Sequence, residues 1–281
     1  MALDHDRLLK PVKKLRKLLD RIDSNPDAET VHSLRTNSRR FEAMFKALSL
    51  DTEGLDAGTL KDLGRLRKRA GKVRDMDVLT RFASTVHPRG EEDCTVQLLE
   101  YLGAERKKEA RKLAAEVNSK GPSLRKGLKR SGVVVEKLLR KASTEEATAD
   151  ALKFVIKLDT PQRLSAANLH PYRLQIKELQ DVLRMASSPK PVRFVDDLGK
   201  VKDAIGTWHD WEELLSIAQN VLDHKSGCGL QAELKRITKQ KYDHALASAQ
   251  TLRNTYLRSA PGTLQKVPRP PVWEAIALLI S

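Results

Sequence analysis

The residues best equipped for chemistry are histidines followed by arginines at helical spacing. His32, Arg35 and Arg39 lie at i, i+3 and i+7. A helix over Val31 to Phe41 would therefore hold one imidazole and two guanidiniums in a single row. The pattern recurs 138 residues later as His170, Arg173 and Lys177. Guanidinium donors suit phosphate oxygens, and an imidazole titrates near neutrality. The chemistry this favours is the holding of phosphate groups, with a contribution that grows when the histidine is protonated. A second reading of His32 and His170 stays open, in which each ring only fixes helix packing.

Other reactive groups are sparse. Asp75, Asp77 and Asp210 could serve as metal ligands or a general base, but no third carboxylate or histidine stands at useful spacing. Capping of a following helix, or bridging to a nearby arginine, accounts for them better. No nucleophile elbow, Walker-type phosphate loop or zinc spacing occurs. Catalytic residues, metals and cofactors are therefore expected to be absent, and the protein is expected not to be an enzyme. Cys94 and Cys228 lie far apart in sequence, offer no ligand spacing or disulfide framework, and suit a reducing cytosol.

The elements that must position these rows read as helices throughout. Val31, Leu34, Ser38, Phe41, Phe45 and Leu48 form one apolar seam; Leu169, Tyr172, Ile176, Leu179 and Leu183 form its counterpart. Helices are expected over 6–22, 28–50, 59–73, from 74 to before Pro88, over 91–118 and 123–141, and from a start at 143–146 on through 151–158. Further helices should cover 165–185, starting close to His170 because of Pro171, then 194–208, 210–223 and 230–257. Lys120-Gly121-Pro122 is the best boundary between halves. The run Ala275 to Ile280 is too short to cross a bilayer and is expected to dock on the body.

Composition agrees with an all-α fold and with an anionic partner. The 281 residues are 40% apolar, 32% charged and 4% aromatic, with 52 Lys and Arg against 37 Asp and Glu. The net charge of +15 attracts polyanions such as nucleic acid, phosphate polymers or acidic membrane. The N-terminus carries no signal peptide, so a cytoplasmic location is expected, without membrane insertion.

An internal repeat organises the charge. The seventeen residues Leu63 to Leu79 align without gaps to Leu198 to Leu214, 135 residues on. Leu63, Leu66, Ala70 and Val73 match Leu198, Val201, Ile205 and Trp208. Gly64 and Gly71 match Gly199 and Gly206, Arg65 and Arg67 match Lys200 and Lys202, and Asp75 matches Asp210. Arg74 falls opposite His209, and Arg106 opposite Lys239. A duplicated unit with an approximate two-fold axis follows. If the basic faces turn inward, they line a shared groove that a polyanion would neutralise. The candidate ligand set is His32, Arg35, Arg39, Arg40, Arg65, Arg67, Lys72, Arg74 and Arg106 in the first repeat. In the second it is His170, Arg173, Lys177, Lys200, Lys202 and Lys239. The paired glycines fit close helix packing better than direct phosphate contact.

These motifs resemble the CHAD family, the conserved histidine α-helical domain. The resemblance rests on His-x-x-Arg-x-x-x-Arg at His32, Arg35 and Arg39 with its echo at His170, and on Arg74-Asp-Met-Asp77 with a looser echo from His209 to Glu212. It implies one domain over 1–281, built of helical repeats over 1–120 and 121–281, each like a four-helix bundle, around a basic surface or pore that binds inorganic polyphosphate. It also implies an association with polyphosphate granules. The Glu-x-Glu-x-Lys strand of the CYTH domain, a frequent fusion partner, is absent. The second copy departs from the pattern at Lys177, Glu178 and Asp203, so it should bring less charge to the ligand. Nucleic acid is the alternative partner, since phosphate contacts are common to both polymers. The twelve aromatics leave little for base stacking.

Overall fold

The computed structural model describes residues 5–47, 57–139, 163–185, 193–223 and 227–256. These residues form seven α-helices and no strand: α1 His5–Leu18, α2 Ala28–Ala47, α3 Ala57–Ala83, α4 Glu92–Leu139, α5 Ala166–Met185, α6 Arg193–Val221 and α7 Gly229–Tyr256. The fold is all-α, as the sequence implies. The expected helix from 143–146 through 158, the loop 187–191 and the 275–280 run lie outside the described residues.

The chain divides into two compact units. One comprises His5–Arg140 with Asp210–Thr238; the other comprises Met1–Asp4, Lys141–His209 and Lys239–Ser281. We call them the N-terminal and C-terminal units. In the N-terminal unit α1 packs on α2, α2 on α3, α3 on α4 and α4 on α1, closing a ring of four helices. Val12 and Leu15 of α1, Val31, Leu34 and Phe41 of α2, and Leu63, Leu66, Ala70 and Val73 of α3 are buried. They follow the spacing that puts one stripe of each helix inward. A second core in this unit joins Leu79 and Ala83 to Leu98 and Leu102 and to Trp211, Leu214 and Leu234. The C-terminal unit is organised on Leu169, Tyr172, Ile176 and Leu179 of α5, Leu198, Ile205 and Trp208 of α6, and Ala245, Ala249 and Leu252 of α7.

Three helices run on where the sequence suggests breaks. α3 and α6 each pass without interruption through the charged segments at Arg74–Asp77 and His209–Glu213. What changes there is the buried partner, because the apolar residues beyond those segments enter a different core. Asp75 and Asp77 are therefore not caps. α4 continues through Gly121-Pro122. Leu113 and Val117 before the proline, and Leu124 and Leu128 after it, are all buried, so the stripe stays in phase and its burial outweighs the lost backbone donor.

The helices carrying the histidines begin alike. Asp27 caps α2, accepting from the Thr30 amide at 2.8 Å and the Thr30 hydroxyl at 2.7 Å. These bonds hold its carboxyl below the ordinary carboxylate range. At α5, the Ser165 amide donates to Asn168 Oδ1 at 2.8 Å, a reciprocal cap. Buried Leu164 and Leu169 flank it at the two positions of a hydrophobic staple. This cap starts α5 before Pro171, not at His170 as the proline suggests. Both histidines consequently sit five residues past their caps.

Candidate functional site

In the N-terminal unit the cationic row of α2 faces α3. His32 is exposed at the surface yet partly desolvated. Its pKa is lowered, first by burial and then by the charges of Arg74, Arg35 and Arg40. Three guanidiniums thus repel a proton from one imidazole, which marks a locally positive potential. Arg40 is exposed and Arg74 half-buried, and among the described residues neither is seen in an ion pair. Arg35 is half-buried, with Nη1 3.7 Å from Asp75. A Cβ placed on Gly71 would lie 3.7 Å from Arg35 Nε, an ordinary contact, so the guanidinium rests against the α3 backbone.

The remaining candidates of this unit differ in freedom. Arg39 is half-buried on the same helix. Arg65 is largely exposed and pairs loosely with Asp62 at 3.7 Å. Lys72 is exposed and acts electrostatically on Glu109. Arg67 is held by Glu42 at 3.0 Å. Arg106 donates to Asp77 at 2.6 Å, Asn25 at 2.7 Å and the Pro26 carbonyl at 2.8 Å. The sequence assigns Arg106 to the ligand; in the structure its guanidinium ties the start of α2 to α3 and α4. Glu109, buried on α4, accepts from Lys112 at 2.5 Å and lies 4.0 Å from Arg69. The Lys112 bond holds its carboxyl below the usual range against the opposing effect of burial.

The C-terminal unit repeats two of these relationships. Arg173 crosses α6 at Gly206, where a Cβ would come within 2.8 Å of Nη2. The guanidinium Nε donates to the Lys202 carbonyl at 3.2 Å. The His170 ring meets His209 with centroids 4.6 Å apart and planes tilted by 56°. His209 is the counterpart of Arg74, so the ring after each cap faces the equivalent position of the next helix. Lys202 reaches Gln180 Oε1 and Asp203, each at 3.2 Å. Lys200 and Lys239 are exposed and pair with Asp197 and Asp243 at 2.8 and 2.9 Å. Lys177 is half-buried on α5 beyond Arg173.

Sequence reasoning missed the acceptors that tie down part of the set: Glu42, Asn25, Gln180 and the Lys202 carbonyl. Each comes from a segment distant in sequence, so no local spacing announces it. It also missed the role of Gly71 and Gly206. These glycines are neither bare helix contacts nor, by themselves, phosphate seats; they open the backbone to an arginine of the histidine motif. The repeated glycine at constant offset was the available signal. Phe41, Tyr172, Trp208 and Trp211 are all buried, as their seams imply, and so offer no stacking surface. No helix among the described residues is long and apolar enough to cross a membrane.

Comparison with known proteins accords with this architecture. The family model for the CHAD domain matches residues 6–219. Among solved structures, the crystal structure of the CHAD domain from the plant Ricinus communis is similar. Its TM-score is 0.59 at 17% identity, over 90% of this chain and 93% of that one. No curated protein matches the sequence.

Proposed function

The chain belongs to the CHAD family, and on that premise we propose that it binds inorganic polyphosphate without catalysing a reaction on it. The observation that carries this reading is the cationic row of α2, in which Arg35 is laid against α3 at Gly71 beside exposed His32 and Arg40. Burial first, and then the charges of Arg74, Arg35 and Arg40, lower the His32 pKa. Such clustering of like charge costs free energy in the empty protein and is relieved by an anion. Polyphosphate offers one negative charge per unit and no bases, so it asks for cationic donors and not for aromatic platforms. Phosphate oxygens are bound by His32, Arg35, Arg39, Arg40 and Arg74 in one unit and by His170, Arg173, Lys177 and His209 in the other. Arg65, Lys72, Lys200 and Lys239 add a flexible outer ring of charge. Arg67, Lys202 and Arg106 position the helices, since their head groups are engaged by the protein's own acceptors.

A competition titration tests the reading. Long-chain polyphosphate is set against RNA of equal phosphate number, at several salt concentrations, with the double variant Arg35→Glu and Arg173→Glu as control. Polyphosphate should win, its affinity should fall steeply with salt, and the variant should lose at least about tenfold in affinity. Equal competition by RNA, or an affinity indifferent to salt, would overturn it.

A further inference from the structure

Away from the cationic faces, the N-terminal unit gathers three potential metal ligands that the sequence keeps far apart. Cys94 lies in the first turn of α4, Cys228 stands immediately before α7, and Glu91 immediately precedes α4. The two sulfurs are 3.6 Å apart, and Cys228 Sγ is 3.5 Å from Glu91 Oε2. The ligand atoms of all three residues lie within 4.8 Å of one another. From these positions we propose that Cys94, Cys228 and Glu91 form a zinc site, with water as the fourth ligand.

The spacing agrees with what a tetrahedral ion requires. Zinc–sulfur bonds of about 2.3 Å at a tetrahedral angle set two sulfurs about 3.8 Å apart, and a sulfur and a carboxylate oxygen about 3.6 Å apart. The observed 3.6 and 3.5 Å need only small adjustments. The carboxylate is already oriented: Glu91 Oε1 accepts the Gly229 amide at 2.7 Å, which leaves Oε2 directed to the sulfurs. Gly229 is part of the cradle, because a Cβ there would fall 2.9 Å from Oε1. Both thiols are buried, at 3% and 1% exposure, whereas Glu91 is half-buried and gives the fourth position a route to water. Without a metal, burial first and then the Glu91 and Cys228 contacts push the Cys94 thiol up to about 12, so its proton leaves only in exchange for the ion. Loading is not a redox step: two S–H bonds are replaced by two S–Zn bonds and two protons leave to solvent.

The test uses the full chain, reduced and stripped with a chelator. Cobalt(II) should bind at one equivalent and give a thiolate-to-cobalt charge-transfer band with the visible bands of a tetrahedral ion, and zinc should displace it. Cys94→Ser and Cys228→Ser should abolish the band, Glu91→Gln should weaken binding at least about tenfold, and His244→Ala, at an exposed histidine of α7, should leave it unchanged. Because a cysteine variant can fail to fold, the wild-type protein also decides the matter. One equivalent of zinc should release two protons, read by calorimetry in two buffers, and should raise the melting temperature. A wild-type protein that shows no thiolate band, releases no protons, or closes a Cys94–Cys228 disulfide that zinc does not prevent would overturn the assignment.

Discussion

Arg173 lies across α6 at Gly206 so closely that a methyl group there would stand 2.8 Å from its guanidinium. Arg35 takes the same course over Gly71, at 3.7 Å. The arginine of each histidine motif is thereby pressed onto the neighbouring helix, which limits its rotamers before any ligand arrives. Binding then costs less side-chain entropy than it would for a freely waving cation.

The two glycines should respond differently to alanine. Gly71→Ala meets only an ordinary contact and removes a poor helix former, so it should stabilise by up to about 1 kcal/mol, or roughly 2–4 °C in melting temperature. Gly206→Ala should displace the guanidinium, break its bond to the Lys202 carbonyl and weaken polyphosphate binding without a comparable gain in stability. Thermal melts paired with ligand titration check both. An equal rise in melting temperature for the two variants would count against the close approach at Gly206.

Arg106→Ala should be costly for folding. Asp77, whose side chain is 9% exposed, would keep its charge with its closest cation gone. A loss of about 2–3 kcal/mol is expected, short of the full value for a wholly buried pair because Arg106 retains some solvent contact. Urea denaturation of Arg106→Ala, Asp77→Ala and the double variant should show the second change adding little to the first. Strict additivity would refute the bridge.

His32 makes both stability and binding depend on pH. Its folded-state pKa lies below the ordinary value of 6.5. Below that ordinary value the unfolded chain takes up the proton more readily, so the His32 contribution to stability declines as pH falls from about 6.5 and levels off below the folded pKa. A bound polyanion reverses the repulsion and raises the pKa, so affinity for polyphosphate should increase over the same fall in pH. Calorimetry in buffers of different ionisation enthalpy should detect proton uptake on binding. His32→Asn should reduce that uptake, and an unchanged value would exclude His32 as its source.

Removing Arg40 or Arg74 should affect ligand binding more than folding. Neither is seen in an ion pair among the described residues. Each alanine variant should lower the slope of log affinity against log salt by about one and weaken binding to all anionic polymers alike. A variant that melts several degrees lower with its salt slope intact would show a structural role instead.

Much of this protein is legible in its sequence because helix periodicity is a local property. The seams through Val31, Leu34 and Phe41 and through Leu169, Tyr172 and Ile176 identify the buried faces, and the next residues round the helix identify the cationic rows. The doubling of His-x-x-Arg points to the CHAD family before any contact is known. Helix ends were less legible. Pro122 and the acidic residues near Asp75 look like stops, yet burial continued on either side keeps α4 and α3 intact. Only the tertiary structure decided which cations are tied down. Glu42 and Asp77 come from other helices and Asn25 from the turn before α2, and such long-range pairings leave no trace in the spacing along one helix. The same reason hid the meeting of Cys94 with Cys228, separated by 134 positions in the chain and by 3.6 Å in space.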